Sequence, residues 1–283
     1  MRVMGFEIQK GTLIAGAFTA AVLLSLAFAG NVLSITNGTY DGEEHPYVGL
    51  AVFDTASGPT WRCSCSLLSP TVVLTAGHCT DGAVAARVWF APNMTREANA
   101  EYPNGGATSY EGVPYTYPGY SFGGGKGLPA AVSGDVGIIV LTEPVPTDVV
   151  SEYASLPNPY AVDELSSKEP VDLVGYGVQY QDPGGGVPPR NTWKGLRLRM
   201  YAPAELVSGK FVHSDEFVRV TANPGGGTGG VAFGDSGGLV LLGGTDTVIA
   251  VNSYVTNVNC GGVTYSYRID TGPVLTWIYG FLN

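Results

Sequence analysis

The sequence has few basic residues and few charged residues of either sign. Lys and Arg number 14 against 24 Asp and Glu, which gives a formal net charge of −10, and no basic run occurs. A protein that binds nucleic acid or an anionic membrane surface needs a cationic face, so neither partner is expected. Only 13% of residues are charged, whereas 45% are hydrophobic and 41 are Gly. This composition is typical of a compact, loop-rich β protein.

Sustained helical periodicity is also missing until residues 274–282, where a short terminal helix is predicted. Short β-branched or aromatic runs, separated by Gly, Pro, Asn or Asp, predict strands instead. These runs are 47–53, 71–75, 85–90, 136–141, 171–176, 196–200, 217–220, 239–242 and 247–254. Two Gly-rich stretches, 102–127 and 223–230, are predicted to be long surface loops.

The first 29 residues are interpreted as a secretory signal peptide. Arg2 and Lys10 precede an apolar run at 11–28, and Ala27 and Ala29 provide the small-residue spacing that a signal peptidase accepts. An uncleaved membrane anchor is the alternative, because the run approaches the length of about 18 residues that can span a bilayer. Cleavage predicts a secreted, extracellular protein that leaves the membrane, and we expect a monomer.

Four cysteines suit an exported protein in an oxidising compartment, where they allow three disulfide pairings. They are Cys63, Cys65, Cys79 and Cys260. Zinc binding is the competing interpretation, but the spacing lacks the second close pair and the His spacing of a zinc site. We therefore expect no metal and no cofactor.

Ser236 stands in a glycine-flanked turn, Gly-Asp-Ser-Gly-Gly, before an apolar strand. Such a turn can expose a hydroxyl and free backbone N–H groups that hold an oxyanion. The same residues match the G-x-S-x-G nucleophile elbow, but an α/β-hydrolase needs its histidine after the serine. His45, His78 and His213 all precede Ser236. The order of catalytic residues must therefore be His, Asp, Ser.

His78 and Asp135 are the upstream candidates. His78 follows an apolar strand in Leu-Thr-Ala-Gly-His-Cys, and Asp135 opens an apolar strand in Ser-Gly-Asp-Val-Gly-Ile-Ile-Val-Leu. With the Ser236 turn, these stretches resemble the motifs of trypsin-like (chymotrypsin-fold) serine endopeptidases. Three such motifs in the right order make the match specific, and the resemblance covers nearly all of the chain after the signal.

The resemblance implies an all-β fold of two six-stranded antiparallel β-barrels with a short C-terminal helix, as one peptidase domain over residues 35–283. It implies that His78 is the general base, that Asp135 orients it, and that Ser236 is the nucleophile. The oxyanion would be held by the N–H groups of Gly234 and Ser236. It further implies a disulfide from Cys63 to Cys79, whereas Cys65 and Cys260 are at least as well explained as free thiols.

The resemblance also implies activation by cleavage. Removal of a short propeptide, residues 30–34, would free the α-amino group of Ile35 to form an ion pair with Asp235. Ser34 precedes that cut, whereas a precursor activated by trypsin has Arg or Lys at this position. The resemblance therefore does not identify the protease that makes the cut.

The resemblance also implies a substrate pocket that contains no acidic side chain. Its residues are Gly230, Val231, Ser253, Tyr254 and Val255. A neutral pocket cannot offset the burial of a Lys or Arg charge, so small or medium apolar residues are expected before the cleaved bond. The predicted function is a secreted serine endopeptidase acting on proteins or peptides. A catalytically silent binding protein and a secreted esterase are the alternatives.

Overall fold

The computed structural model describes residues 35, 38–123, 132–178, 180–182, 192–209, 212–222, 228–256 and 260–282, with 180–182 and 192–194 as backbone only. The predicted signal peptide, 1–29, and propeptide, 30–34, lie outside the described residues. Strands dominate the described part of the chain, which confirms the all-β prediction. None of the helices in that part is both long and apolar enough to cross a membrane.

Six antiparallel strands close into a first barrel. In spatial order they are β2 (Val48–Thr55), β3 (Gly58–Ser69), β4 (Val72–Thr75), β9 (Gly137–Leu141), β6 (Tyr110–Thr116) and β5 (Ala85–Trp89). Seven of the eight residues of β2 are buried, because one face of the strand fills the barrel and the other packs against the rest of the molecule. The first predicted barrel is confirmed.

Strand β6 lies within residues 102–127, so the prediction of a surface loop there is wrong for the middle of that stretch. The strand pairs with β5 on one side and with β9 on the other. The buried residue of this strand is Gly112, where a Cβ would lie 2.6 Å from Ile139 Cγ2. The backbones of β6 and β9 therefore approach closely at a position where a recognisable strand pattern would have an apolar side chain.

Seven strands form the second sheet. In spatial order they are β1 (Thr39–Tyr40), β13 (Met200–Glu205), β10 (Pro170–Gly175), β15 (Leu239–Leu242), β16 (Val248–Val255), β17 (Gly262–Arg268) and β14 (Phe217–Ala222). The sheet curls without closing its ladder, and an isolated bridge between Leu206 and Val220 brings the chain after β13 against β14. The fold is thus the expected trypsin-like one, with the second barrel present as a curled half-barrel.

The remaining elements are short. They are β7 (Ser121–Phe122) paired with β8 (Val132–Ser133), β11 (Tyr180–Asp182) paired with β12 (Thr192–Lys194), α1 (Gly77–Thr80), a 3-10 helix (Ala161–Glu164) and α2 (Gly272–Leu282). Helix α2 confirms the predicted terminal helix. Its Trp277 packs edge-on against Tyr117, with 5.3 Å between ring centroids, which docks the helix beside the end of β6.

A buried arginine joins the two sheets. Arg199 immediately precedes β13, and its guanidinium donates to Asp41 Oδ2 (2.8 Å) and to the carbonyls of Val48 (3.0 Å) and Phe90 (2.9 Å). Regular pairing begins only at the last residue of the predicted strand 196–200, because an isolated bridge between Leu198 and Asn93 holds the preceding residues. The hydrogen bonds from Arg199 to Val48 and Phe90 tie the start of β13 to the first barrel.

Candidate active site

The end of β4 and the start of α1 position His78. Strand β4 ends at Thr75 and the helix begins at Gly77, so the histidine lies in the first turn after the strand. A disulfide joins Cys63 of β3 to Cys79, as the resemblance implied. These two sulfurs are bonded to each other and offer no thiolates, so they do not form the zinc site considered above.

Asp135 holds the His78 ring. Its Oδ2 lies 2.9 Å from His78 Nδ1, and its Oδ1 accepts a 2.8 Å hydrogen bond from the His78 backbone N–H. The Ser253 hydroxyl of β16 also donates to Oδ2. Burial alone would raise the pKa of Asp135, but the charge of His78 and these hydrogen bonds outweigh burial and hold the pKa below its ordinary value. The carboxylate therefore keeps the proton on Nδ1 and leaves Nε2 as the acceptor.

The Ser236 turn is packed between β3 and β16. The Ser64 N–H donates to the Ser236 carbonyl at 2.9 Å, and the Gly237 N–H donates to the Asn252 carbonyl at 2.8 Å. Gly237 has a φ of +73°, and a Cβ there would lie 2.1 Å from Thr75 Oγ1. Only glycine fits this position. Since Thr75 ends β4, the serine turn lies against the strand that leads into the histidine turn.

Two backbone N–H groups of this turn have no acceptor. Among the described residues the N–H groups of Gly234 and Ser236 donate to nothing, whereas those of Asp235 and Gly237 bond carbonyls. Free N–H groups beside a nucleophile can hold an oxyanion. The Ser236 hydroxyl makes no hydrogen bond within the described part of the chain, to His78 included, and in substrate-free enzymes this contact is often long.

Asp235 is a second fully buried carboxylate at the site. Its Oδ1 accepts the Gly177 N–H at 2.7 Å, and its Oδ2 accepts the Ala232 N–H at 3.0 Å. Burial raises its pKa to about 7, although both hydrogen bonds and the charge of Arg62 act in the opposite direction. Ile35, its predicted partner, is fully buried in the apolar cluster of the second sheet. Ile35 is a mid-chain residue here, so the ion pair stays a prediction.

The predicted pocket residues lie in two separate segments of the chain. Gly230 and Val231 precede the Ser236 turn and are buried, while Ser253, Tyr254 and Val255 end β16. Val231 is part of the apolar cluster of the second sheet, and Val255 packs against that cluster. The register of the sheet places buried Thr264 of β17 directly opposite Val255.

Sequence reasoning missed two roles. Ser253 was predicted as a pocket residue only, although its hydroxyl contacts Asp135, and Thr264 was not predicted at all. The first contact joins residues far apart in the chain, and the second depends on the register between β16 and β17. Their only sequence signal is the strand pattern around them, which specifies neither register nor face.

Comparison with known proteins identifies the family. The family model described as Trypsin matches residues 37–278. The chain therefore belongs to the trypsin family of serine proteases, whose substrates are peptides. No curated protein is a significant match to this chain.

Three solved structures share the fold. HL collagenase has a TM-score of 0.62 at 18% identity, covering 86% of this chain and 95% of that chain. Vibrio cholerae VesB protease has a TM-score of 0.56 at 17% identity, covering 87% of this chain and 67% of that chain. The scabies mite inactivated protease paralogue S-I1 has a TM-score of 0.58 at 18% identity, covering 86% and 96%. Since the three include an inactivated paralogue, catalysis has to be argued from the site itself.

Proposed function

We propose that this protein is a secreted serine endopeptidase that hydrolyses peptide bonds through an acyl-enzyme on Ser236. The observation that carries the proposal is the combination of a His78 ring held by buried Asp135 with a serine turn that has two unpartnered N–H groups. These features supply a general base, a carboxylate that orients it, and donors for an oxyanion. Proteins or peptides are the expected substrates.

The reaction follows from this arrangement. His78 Nε2 takes the proton of Ser236 Oγ as that oxygen bonds the scissile carbonyl carbon, and Asp135 stabilises the resulting imidazolium. The N–H groups of Gly234 and Ser236 donate to the carbonyl oxygen as it becomes negative. When the C–N bond breaks, His78 returns the proton to the leaving amine. Water then attacks the acyl ester while the same histidine takes its proton, and the histidine passes that proton to Ser236 Oγ as the ester C–O bond breaks, which releases the acid and restores Ser236.

Replacement of the nucleophile tests the proposal. Ser236→Ala should lower the rate of casein digestion by about six orders of magnitude, as expected when the nucleophile of a triad is removed. Ser121→Ala changes an exposed serine of β7 and serves as the matched control. A Ser236→Ala protein that keeps more than about a thousandth of the activity would exclude Ser236 as the nucleophile.

We further propose a preference for small or medium apolar residues before the cleaved bond. Val255 lies opposite Thr264, so we expect these two branched side chains to narrow the pocket, and none of the five predicted pocket residues carries a negative charge. Cleavage-site mapping with a peptide library should find small apolar residues, and a dominant Lys or Arg signal would overturn this proposal. Val255→Gly should widen the pocket and raise kcat/KM for Phe relative to Ala by about tenfold.

The proposed processing removes the signal peptide, 1–29, and then the propeptide, 30–34. A new α-amino group on Ile35 would supply the cation that buried Asp235 lacks. Two observations support this: the complete burial of Ile35, and the raised pKa of Asp235. N-terminal sequencing of the secreted protein tests it. A start at Ile35 is expected, and fully active material that starts at Gly30 would refute the proposal.

A further inference from the structure

Arg62 of β3 is a partly buried cation in a protein of net charge −10, and in the described part of the chain no carboxylate lies within ion-pair distance of it. Two other arginines of the described chain form ion pairs, Arg87 with Asp54 and Arg199 with Asp41. Among the described residues no hydrogen bond or ion pair engages the Arg62 guanidinium. The charge of buried Asp235 acts on Arg62 from beyond ion-pair distance, so the guanidinium keeps its N–H donors for a ligand.

Arg62 also lies next to the oxyanion donors. A Cβ built on Gly234 would lie 3.8 Å from Arg62 Nε. The following residues of β3 touch the same turn, because Ser64 donates to the carbonyls of Ser236 (2.9 Å, from its N–H) and Gly234 (3.0 Å, from its Oγ). A group bound by Arg62 is therefore close to the reacting bond.

The position of β3 decides which half of the substrate Arg62 faces. This step rests on the proposed function. The Ser236 turn has β16 on one side, through Gly237 and Asn252, and β3 on the other, through Ser64. The half of the substrate that becomes the acyl group lies along the end of β16, where the proposed pocket is. The half that leaves as the amine therefore passes β3 and Arg62.

A pocket of about 200 Å³ opens beside Arg62 on this side. Its walls include Trp61, Pro59 and Tyr102, and no carboxylate lines it. Trp61 is held by a 2.8 Å hydrogen bond from its ring N–H to the Cys79 carbonyl. Arg197 adds a second positive charge, since its guanidinium lies 4.8 Å from the centre of the Tyr102 ring. The pocket thus combines apolar walls with positive potential.

We propose that Arg62 binds a carboxylate in the leaving-group half of the substrate and makes the protein selective for acidic residues after the cleaved bond. The carboxylate belongs to an Asp or Glu side chain or to the free C-terminus of a short substrate. Either source forms a charge-assisted hydrogen bond with the guanidinium, and the aliphatic part of the ligand packs on Trp61.

Matched peptides test this selectivity. The peptides share one sequence before the cleaved bond and carry Glu, Gln or Lys at the second position after it, with the C-terminus amidated or free. The wild-type protein should cleave the amidated Glu peptide with a kcat/KM about tenfold above the Gln peptide, as expected for a hydrogen bond to a charged group. If Arg62 binds the C-terminal carboxylate instead, the peptides with a free C-terminus should have the higher kcat/KM, whichever residue stands at the second position. Equal rates for all these peptides would overturn the proposal.

Substitutions assign the selectivity to Arg62. In Arg62→Gln the ratio of Glu to Gln cleavage should fall to about one, in Arg62→Lys part of it should return, and in Arg62→Glu the Lys peptide should become the better substrate. Arg96→Gln, which removes an exposed charge, should keep the wild-type ratio. A ratio that survives in Arg62→Gln would contradict the assignment.

An ester substrate with a small uncharged leaving group separates this inference from the proposed function. Wild-type protein that hydrolyses the ester but shows no acidic preference refutes the role of Arg62 and leaves the peptidase intact. Wild-type protein that hydrolyses neither the ester nor any peptide refutes both.

Discussion

Two aspartates are buried within the same site, and their environments shift their pKa values in opposite directions. Asp135 receives the backbone and ring N–H groups of His78 and the hydroxyl of Ser253, and its pKa is held below the ordinary value. Asp235 receives two backbone N–H groups, and burial raises its pKa to about 7. Backbone hydrogen bonds alone do not offset the desolvation of Asp235, whereas a directly bonded imidazole does so for Asp135.

The difference separates a completed carboxylate–imidazole pair at Asp135 from an incomplete pair at Asp235. At neutral pH Asp135 is ionised and ready to stabilise an imidazolium, while Asp235 is close to half-protonated. The α-amino group that we propose for Ile35 would complete the second pair. The difference between the pKa values of the two aspartates should therefore decrease when the chain is cut before Ile35.

The largest expected effect comes from neutralising the completed pair. Asp135→Asn should lower kcat by about 10⁴-fold, because the amide no longer selects the Nδ1–H tautomer of His78. Peptide hydrolysis at saturating substrate measures the loss. Asp148→Asn, at an exposed position, is the control, and a loss below about tenfold in Asp135→Asn would remove the orienting role.

The incomplete pair predicts a pH dependence of stability that cleavage abolishes. In the chain starting at Gly30, the folded pKa of Asp235, about 7, exceeds the ordinary aspartate value of 3.8. The folded state then binds the proton more tightly, so the contribution of Asp235 to the free energy of unfolding is greatest at acid pH and falls between about pH 4 and 7. The expected decrease is about 4 kcal/mol.

Urea unfolding at several pH values measures this dependence. Two forms should be compared, one starting at Gly30 and one at Ile35, both carrying Ser236→Ala to prevent self-digestion. In the Ile35 form the ammonium group stabilises the ionised carboxylate, so the free energy of unfolding should not fall between about pH 4 and 7. It should fall only above about pH 8, where the amino group deprotonates. Identical pH profiles for the two forms would contradict the ion pair.

The smallest expected effect concerns the third donor to Asp135. Ser253→Ala removes one hydrogen bond from the carboxylate and leaves both His78 contacts, so kcat should fall by about tenfold. Ser266→Ala is a matched control, because that buried hydroxyl donates to Asn252 and does not contact Asp135. Equal losses in the two variants would show that the effect is one of packing alone.

Residue patterns predicted the parts of the site that are continuous in the chain. His78 after β4, Asp135 before β9 and Ser236 in a glycine turn each carry a local pattern, because a strand end and a tight turn are determined by neighbouring residues. The disulfide from Cys63 to Cys79 required the family resemblance, since spacing alone left three pairings open.

The parts that could not be predicted depend on contacts between distant segments. Gly112 gave β6 the appearance of a loop, although backbone pairing holds it in the barrel. The Gly177 N–H that binds Asp235, and the lack of an ion pair at Arg62 within the described residues, likewise follow only from how distant segments pack. Desolvation and pairing are properties of the assembled fold, and no local sequence pattern encodes them.

Reaction with a fluorophosphonate tests the central claim most directly, because the reagent modifies a serine only where a base and an oxyanion hole activate it. The secreted protein should gain one adduct per chain, mapped by peptide mass spectrometry to Ser236, and Ser236→Ala should gain none. Wild-type protein that gains no adduct, or gains it at another residue, would contradict the account and favour a catalytically silent binding protein or a different active site.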